Sequence, residues 1–269
     1  MNKRKYSFSL VVYIVSILSL IGLATGFVLA IQDQITPQAK PLFQAPKNKQ
    51  TSKAEGGMLV GLGDSLTKGI GDSKGLGYFG LVKEDLRKKS TQPVSAVNLA
   101  VSGQTSTELA KQIQQTQVRT IVKEADWITL TIGGNDLFRG SGRLEKIDEQ
   151  AAEQSRLVYE KNLTFILSEI RKLNPDARIY MFGLYNPFGD LAEEKRSSRL
   201  AAEWNETMHT ISAQYDQVVV VPTFDLFQLQ PNAYLYSDHF HPNEQGYSRM
   251  ATRLLQVIND TPQGGNLHE

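Results

Sequence analysis

From Met58 onward, short apolar runs alternate with longer stretches in which apolar residues recur every three or four positions. The short runs predict strands over Met58–Leu62, Val94–Leu99, Trp127–Ile132, Arg178–Leu184 and Gln217–Val221. The amphipathic stretches predict helices near Tyr78–Lys89, Ser106–Ile121, Gln154–Leu173, Lys195–Tyr215 and Asn243–Ile258. The third ends cleanly at Asn174-Pro175, because the residue before a proline is pushed out of the helical region. Five strands alternating with helices predict an α/β fold, a five-stranded parallel sheet with helices on both faces. Strands that are apolar throughout fit a sheet covered on both sides. In such a sheet a ligand site lies just beyond the carboxyl ends of the strands, so the residues after each strand are the ones to read.

The pattern before Met58 is different. A basic flank, "MNKRK", precedes an uncharged apolar run from Phe8 to Ile31. At about 1.5 Å rise per helical residue this run is long enough to cross a hydrocarbon core of roughly 30 Å. The basic flank would stay in the cytoplasm and the rest of the chain would face outside. The competing reading is a signal peptide cleaved near Ala30, where "VLA" resembles a small-residue cleavage site. The run exceeds the usual signal core of about 7–15 residues, which favours an uncleaved transmembrane helix. Residues 32–57, rich in Gln, Lys and Pro, read as a flexible linker. The expected organisation is therefore an anchor over 1–31 in the cytoplasmic membrane, a linker over 32–57, a catalytic or binding body over 58–260 and a tail over 261–269.

Charge and cysteine content narrow the chemistry. Lys+Arg 29 against Asp+Glu 28 gives no electrostatic reason to expect nucleic acid as a partner. With Cys 0 there is no disulfide, thiolate metal site, cysteine nucleophile or lipid-modified cysteine.

The strand ends carry the rest. After the first strand comes "GDSLTKG", residues 63–69. It is not a phosphate loop, since no Gly-Lys-Ser/Thr occurs in the chain. It is not a dinucleotide turn, since Leu66 stands where the last glycine belongs; the one true match, Gly75 to Gly80, follows a loop and not a strand. It is not the G-x-S-x-G elbow either, because Thr67 replaces a glycine. What remains is Ser65 at a strand-to-helix turn, either a helix cap or a nucleophile. Beyond the second strand, Gly103 is a turn glycine that could offer its backbone N–H. Beyond the third, "GGND" presents Asn135, a capping residue or an oxyanion donor, with Asp136 as its polar rival. Near the end of the body, "DHFH" places Asp238 three residues before His241. There the acid could accept the Nδ1 proton and leave Nε2 free as a base. Metal binding is the alternative for Asp238, His239 and His241, but no further ligand cluster is conspicuous, so no metal is expected.

Taken together and in this order, Gly63–Leu66, Gly103, Gly133–Asp136 and Asp238–His241 resemble the SGNH, or GDSL, hydrolase family. The resemblance covers Met58 to about Ile258. It implies a flavodoxin-like three-layer α/β/α fold and ester hydrolysis without a cofactor. It implies Ser65, Asp238 and His241 as catalytic triad, and Ser65, Gly103 and Asn135 as oxyanion hole. Asp64 and Lys68 would frame the nucleophile. The expected activity is that of an esterase or lipase outside the membrane, preferring short to medium acyl chains. The acyl pocket would be built from Leu137, Phe138 and Tyr185 to Phe188. Two other readings stay open: an O-acetyl esterase of cell-wall or surface polysaccharide, and a non-catalytic binding module.

Overall fold

The computed structural model describes residues 57–141, 147–188 and 193–260, with six further positions between 16 and 25. The chain divides into two units, Met1–Thr51 and Ser52–Glu269. In the first, Ser16, Leu18, Ser19, Leu20, Leu23 and Thr25 are helical and exposed. The rest of the expected anchor at Phe8–Ile31, the linker up to residue 56 and the tail over 261–269 lie outside the described residues. Among the described residues no helix is long and apolar enough to cross a membrane.

The second unit contains all five expected strands: β1 (Met58–Gly63), β2 (Ser95–Asn98), β3 (Trp127–Thr131), β4 (Arg178–Phe182) and β5 (Val218–Val221). They form one sheet in the order β2-β1-β3-β4-β5, parallel throughout. This is the doubly wound order of flavodoxin-like proteins, with its switch point between β1 and β3. The described helices are α1 (Ser65–Lys68), α2 (Gly77–Lys89), α3 (Ser106–Gln112), α4 (Thr116–Lys123), α5 (Gly134–Gly140), α6 (Glu149–Leu173), α7 (Glu194–Ser212), α8 (Phe224–Gln228), α9 (Pro231–Tyr234) and α10 (Glu244–Asp260).

Alternation along the strands splits the core in two. In β4, Ile179 and Met181 point to one side with Val60, Leu62, Ile128 and Leu130, under α3 to α7. Tyr180 and Phe182 point to the other side with Leu59, under α2 and α10.

Two helices differ from expectation. The stretch Ser106–Ile121 is broken, with Gln115 extended between α3 and α4. Leu109 and Ile113 bury on the same core as Val118 and Val122. In one continuous helix the step from 113 to 118 would turn about 140° away from that core, and the break restores the phase. Helix α6 starts earlier than Gln154 because Asp148 caps it, accepting from Ala151 N at 3.0 Å.

Candidate active site

The turn after β1 is built around Gly63. Its φ is +112°, and a Cβ there would meet the Thr131 carbonyl oxygen at 1.9 Å, so the position takes only glycine. This close approach lets Asp64 N donate to Thr131 O at 3.0 Å, locking the end of β1 to β3. Asp64 is the N-cap of α1. Its Oδ1 accepts from Leu66 N at 3.0 Å and from the Thr131 hydroxyl at 2.7 Å. Below it, Thr67 Oγ1 bonds Thr131 Oγ1 at 2.8 Å and Tyr78 OH at 2.5 Å. Asp64 is 3% exposed, and burial, only partly offset by the Thr131 hydroxyl and the Leu66 N–H, pushes its carboxyl up to about 6. The helix cap is thus Asp64, and Ser65, first in the helix, keeps its hydroxyl for another partner. Asp64 frames the turn that carries Ser65, whereas Lys68 is exposed.

That partner arrives from the far end of the chain. His241 Nε2 lies 2.8 Å from Ser65 Oγ, and His241 Nδ1 lies 2.6 Å from Asp238 Oδ2. An ionised carboxylate only accepts, so Nδ1 carries the imidazole proton and Nε2 accepts from the serine hydroxyl. Asp238 Oδ1 accepts from the backbone N–H groups of Phe240 and His241, each at 3.0 Å. Burial alone would raise the Asp238 carboxyl; the hydrogen bonds from His241 and Phe240 outweigh it and hold it below the usual carboxylate range. His239 is exposed, in the left-handed region at φ 52°, with its N–H on the Tyr236 carbonyl at 2.9 Å. His209 is also exposed, on α7.

On the other side of Ser65, Asn135 sits in the first turn of α5 and lines the same cleft. Its Nδ2 donates to the Gln104 carbonyl at 3.0 Å. An amide nitrogen has two protons, so the second can serve a ligand. Gly103, one residue before that carbonyl, has φ +77°, and a Cβ there would lie 2.8 Å from an Arg139 guanidinium nitrogen. Asp136, the rival of Asn135, turns inward. It accepts from Ser106 N at 3.0 and 2.9 Å and from Ser106 Oγ at 2.5 Å, pinning the start of α3.

The cleft opens beside Ser65 and Asn135. Phe138, Tyr185 and Pro187 line it as expected, joined by Leu66, Leu184 and Phe240, which sequence reasoning missed. Leu137 is a correction: it faces the core, 1% exposed. So is Asn186, whose amide bonds Ser197 and Ser198 at 3.0 and 2.8 Å. Phe188 packs edge-on against Phe138, centroids 4.9 Å apart, and Phe240 packs edge-on against both Phe138 and His241. Among the described residues no three His, Cys, Asp or Glu side chains gather as a metal site would need.

The model of the GDSL-like Lipase/Acylhydrolase family matches residues 62–249. Protein YpmR of Bacillus subtilis (strain 168) is 33% identical over 217 residues, covering 79% of this chain and 85% of its own length. Spore germination lipase LipC of Bacillus licheniformis is 30% identical over 204 residues, covering 72% of this chain and 92% of its own. Among solved structures, the lipase Lip_vut3 from a goat rumen metagenome superposes with a TM-score of 0.64 at 27% identity, covering 74% of this chain and 96% of that one.

Proposed function

The chain belongs to the GDSL-like lipase/acylhydrolase family and is a carboxylic ester hydrolase, and from that premise we propose that Ser65, His241 and Asp238 are its catalytic triad. The observation that carries this reading is the unbroken pair of hydrogen bonds, 2.8 Å from Ser65 to His241 and 2.6 Å from His241 to Asp238. A serine hydroxyl at its ordinary pKa is a weak nucleophile and needs an adjacent base. His241 Nε2 takes the Ser65 proton as Oγ adds to the ester carbonyl. Asp238 keeps the imidazole in the tautomer that makes this transfer and stabilises the imidazolium that results. The carbonyl oxygen becomes an oxyanion, received by the free N–H of the Asn135 amide and the backbone N–H groups of Ser65 and Gly103. Collapse breaks the ester C–O bond, and His241 returns the proton to the departing alcohol. Water, deprotonated by the same histidine, then releases the acid and restores Ser65.

The acyl chain lies along Leu66, Leu184 and Pro187 and meets Phe138 and Phe240, with Phe188 packed behind Phe138. The cleft is narrow and mainly apolar, and no long apolar insertion follows the strand ends, which supports short to medium acyl chains. The enzyme acts outside the cytoplasmic membrane, held there through residues 8–31. The support is the basic "MNKRK" before a long apolar run.

Rates on p-nitrophenyl esters of rising chain length test this reading. The expected optimum is at short to medium chains, in true solution. An optimum at long chains, reached only above their solubility limit, would overturn it in favour of an interfacial lipase. Strong activity confined to acetyl groups on polysaccharide would identify an O-acetyl esterase. No turnover of any ester would leave a binding module.

A further inference from the structure

The loop that carries Asp238 and His241 is held together largely by its own bonds. Tyr236 N donates to the His241 carbonyl at 2.7 Å, and His239 N donates to the Tyr236 carbonyl at 2.9 Å. Leu235 and Pro242 form an antiparallel bridge, and Asn243 ties the loop's end to α9 and caps α10. These bonds fix the loop's shape. They do not fix where His241 stands relative to Ser65, which comes from β1.

One side chain from the sheet does reach the loop at the position that matters. Tyr185, three residues beyond β4, donates its hydroxyl to the Phe240 carbonyl at 2.6 Å. That carbonyl belongs to the peptide unit leading directly into His241. The Tyr185 ring is 6% exposed, lines the cleft, and is clamped by stacking on Phe227, centroids 4.1 Å apart and planes 28° apart. A ring clamped on the scaffold and a phenol bonded to the loop make a rigid strut. Burial, with the nearby Tyr247, Asp64 and Asp238, keeps the phenol protonated, so it stays a donor throughout the working pH range.

We propose that Tyr185 is a positioning residue for catalysis, its hydroxyl setting His241 in register with Ser65 through the Phe240 carbonyl. It is therefore more than a wall of the acyl pocket. The inference rests on Ser65 and His241 being nucleophile and base.

The test is Tyr185→Phe in the full-length protein, which keeps the ring and removes only the strut. The expected result on p-nitrophenyl acetate and butyrate is a fall in kcat of about 5–20-fold, the size of one lost hydrogen bond, with KM nearly unchanged. The rate at which a fluorophosphonate labels Ser65 should fall in step, because that reaction also needs the serine activated. Unchanged kcat and labelling in Tyr185→Phe would overturn the proposal, whether or not the melting temperature drops. So would a change confined to KM or to chain-length preference, which is what a pocket wall alone would give. Tyr185→Leu, which removes ring and hydroxyl together, should reproduce the labelling defect and add a KM effect. Ser65→Ala, assayed alongside, keeps the two readings apart. If it retains activity, the triad is wrong; if it is dead while Tyr185→Phe is normal, only the strut is wrong.

Discussion

His241 Nε2 and Ser65 Oγ lie 2.8 Å apart across 176 residues of sequence, the last loop of the body closing on the first strand-to-helix turn. Each lies just outside the sheet, where two halves of the doubly wound fold diverge and leave a crevice. The pair's consequences can be separated by substitution.

Ser65→Ala should lower ester hydrolysis by at least about 10⁴-fold, since nucleophile and base act as one unit. The hydroxyl is not the helix cap, so thermal unfolding should be unchanged within experimental error. Turnover measured beside a melting curve checks both halves of the expectation.

His241→Ala should be as damaging as Ser65→Ala, while His239→Ala keeps most of the activity. His239 is exposed, and its backbone N–H is bonded within the loop to the Tyr236 carbonyl. Steady-state rates on p-nitrophenyl acetate decide this, and the reverse pattern would mean that the base is misassigned.

Asn135→Ala should reduce kcat by roughly 10²–10³ with little change in KM, because its free amide proton meets charge that develops only in the transition state. Asp136→Ala should act differently. It strips the start of α3 of its buried acceptor, so the loss should appear as a lower melting temperature.

Asp64 makes stability depend on pH. Its carboxyl titrates at about 6 in the folded protein against 3.8 for the free side chain. Between those values the folded state binds more protons than the unfolded state, so this group's contribution falls as pH rises through the window. The full loss is about 3 kcal/mol. Asp64→Asn keeps an oxygen for Leu66 and Thr131 but cannot ionise. Denaturant unfolding from pH 4 to 7 should show wild type losing stability relative to this variant. Parallel curves would show that Asp64 does not titrate in that range.

The location is tested by removing residues 1–57. The remaining chain should be soluble and fully active on dissolved short esters, while the full chain sediments with membranes and resists extraction at alkaline pH. A full chain that stays in the supernatant would refute anchoring.

The sequence by itself determined whatever depends on neighbours in the chain. Apolar runs gave all five strands, most strongly the central β1, β3 and β4, which are covered on both faces. The motif "GDSL" gave the turn, since Gly63 and Asp64 act within a few residues of Ser65. "DHFH" gave the pairing of Asp238 with His241, because a loop this short can bond one to the other by itself. Tertiary structure decided whatever depends on which face a side chain takes. Asn135 and Asp136 are adjacent and equally polar, yet α5 turns one into the cleft and the other under α3. Leu137 and Phe138 divide in the same way between core and cleft, and a short helix beyond a strand has no long periodicity from which to read its phase. The break between α3 and α4 exists only because one core must receive residues on both sides of it. The meetings of Ser65 with His241, and of Tyr185 with Phe240, were settled by strand order. Sequence shows that β1, β4 and the last loop exist, but only the packed sheet sets the distances between their ends.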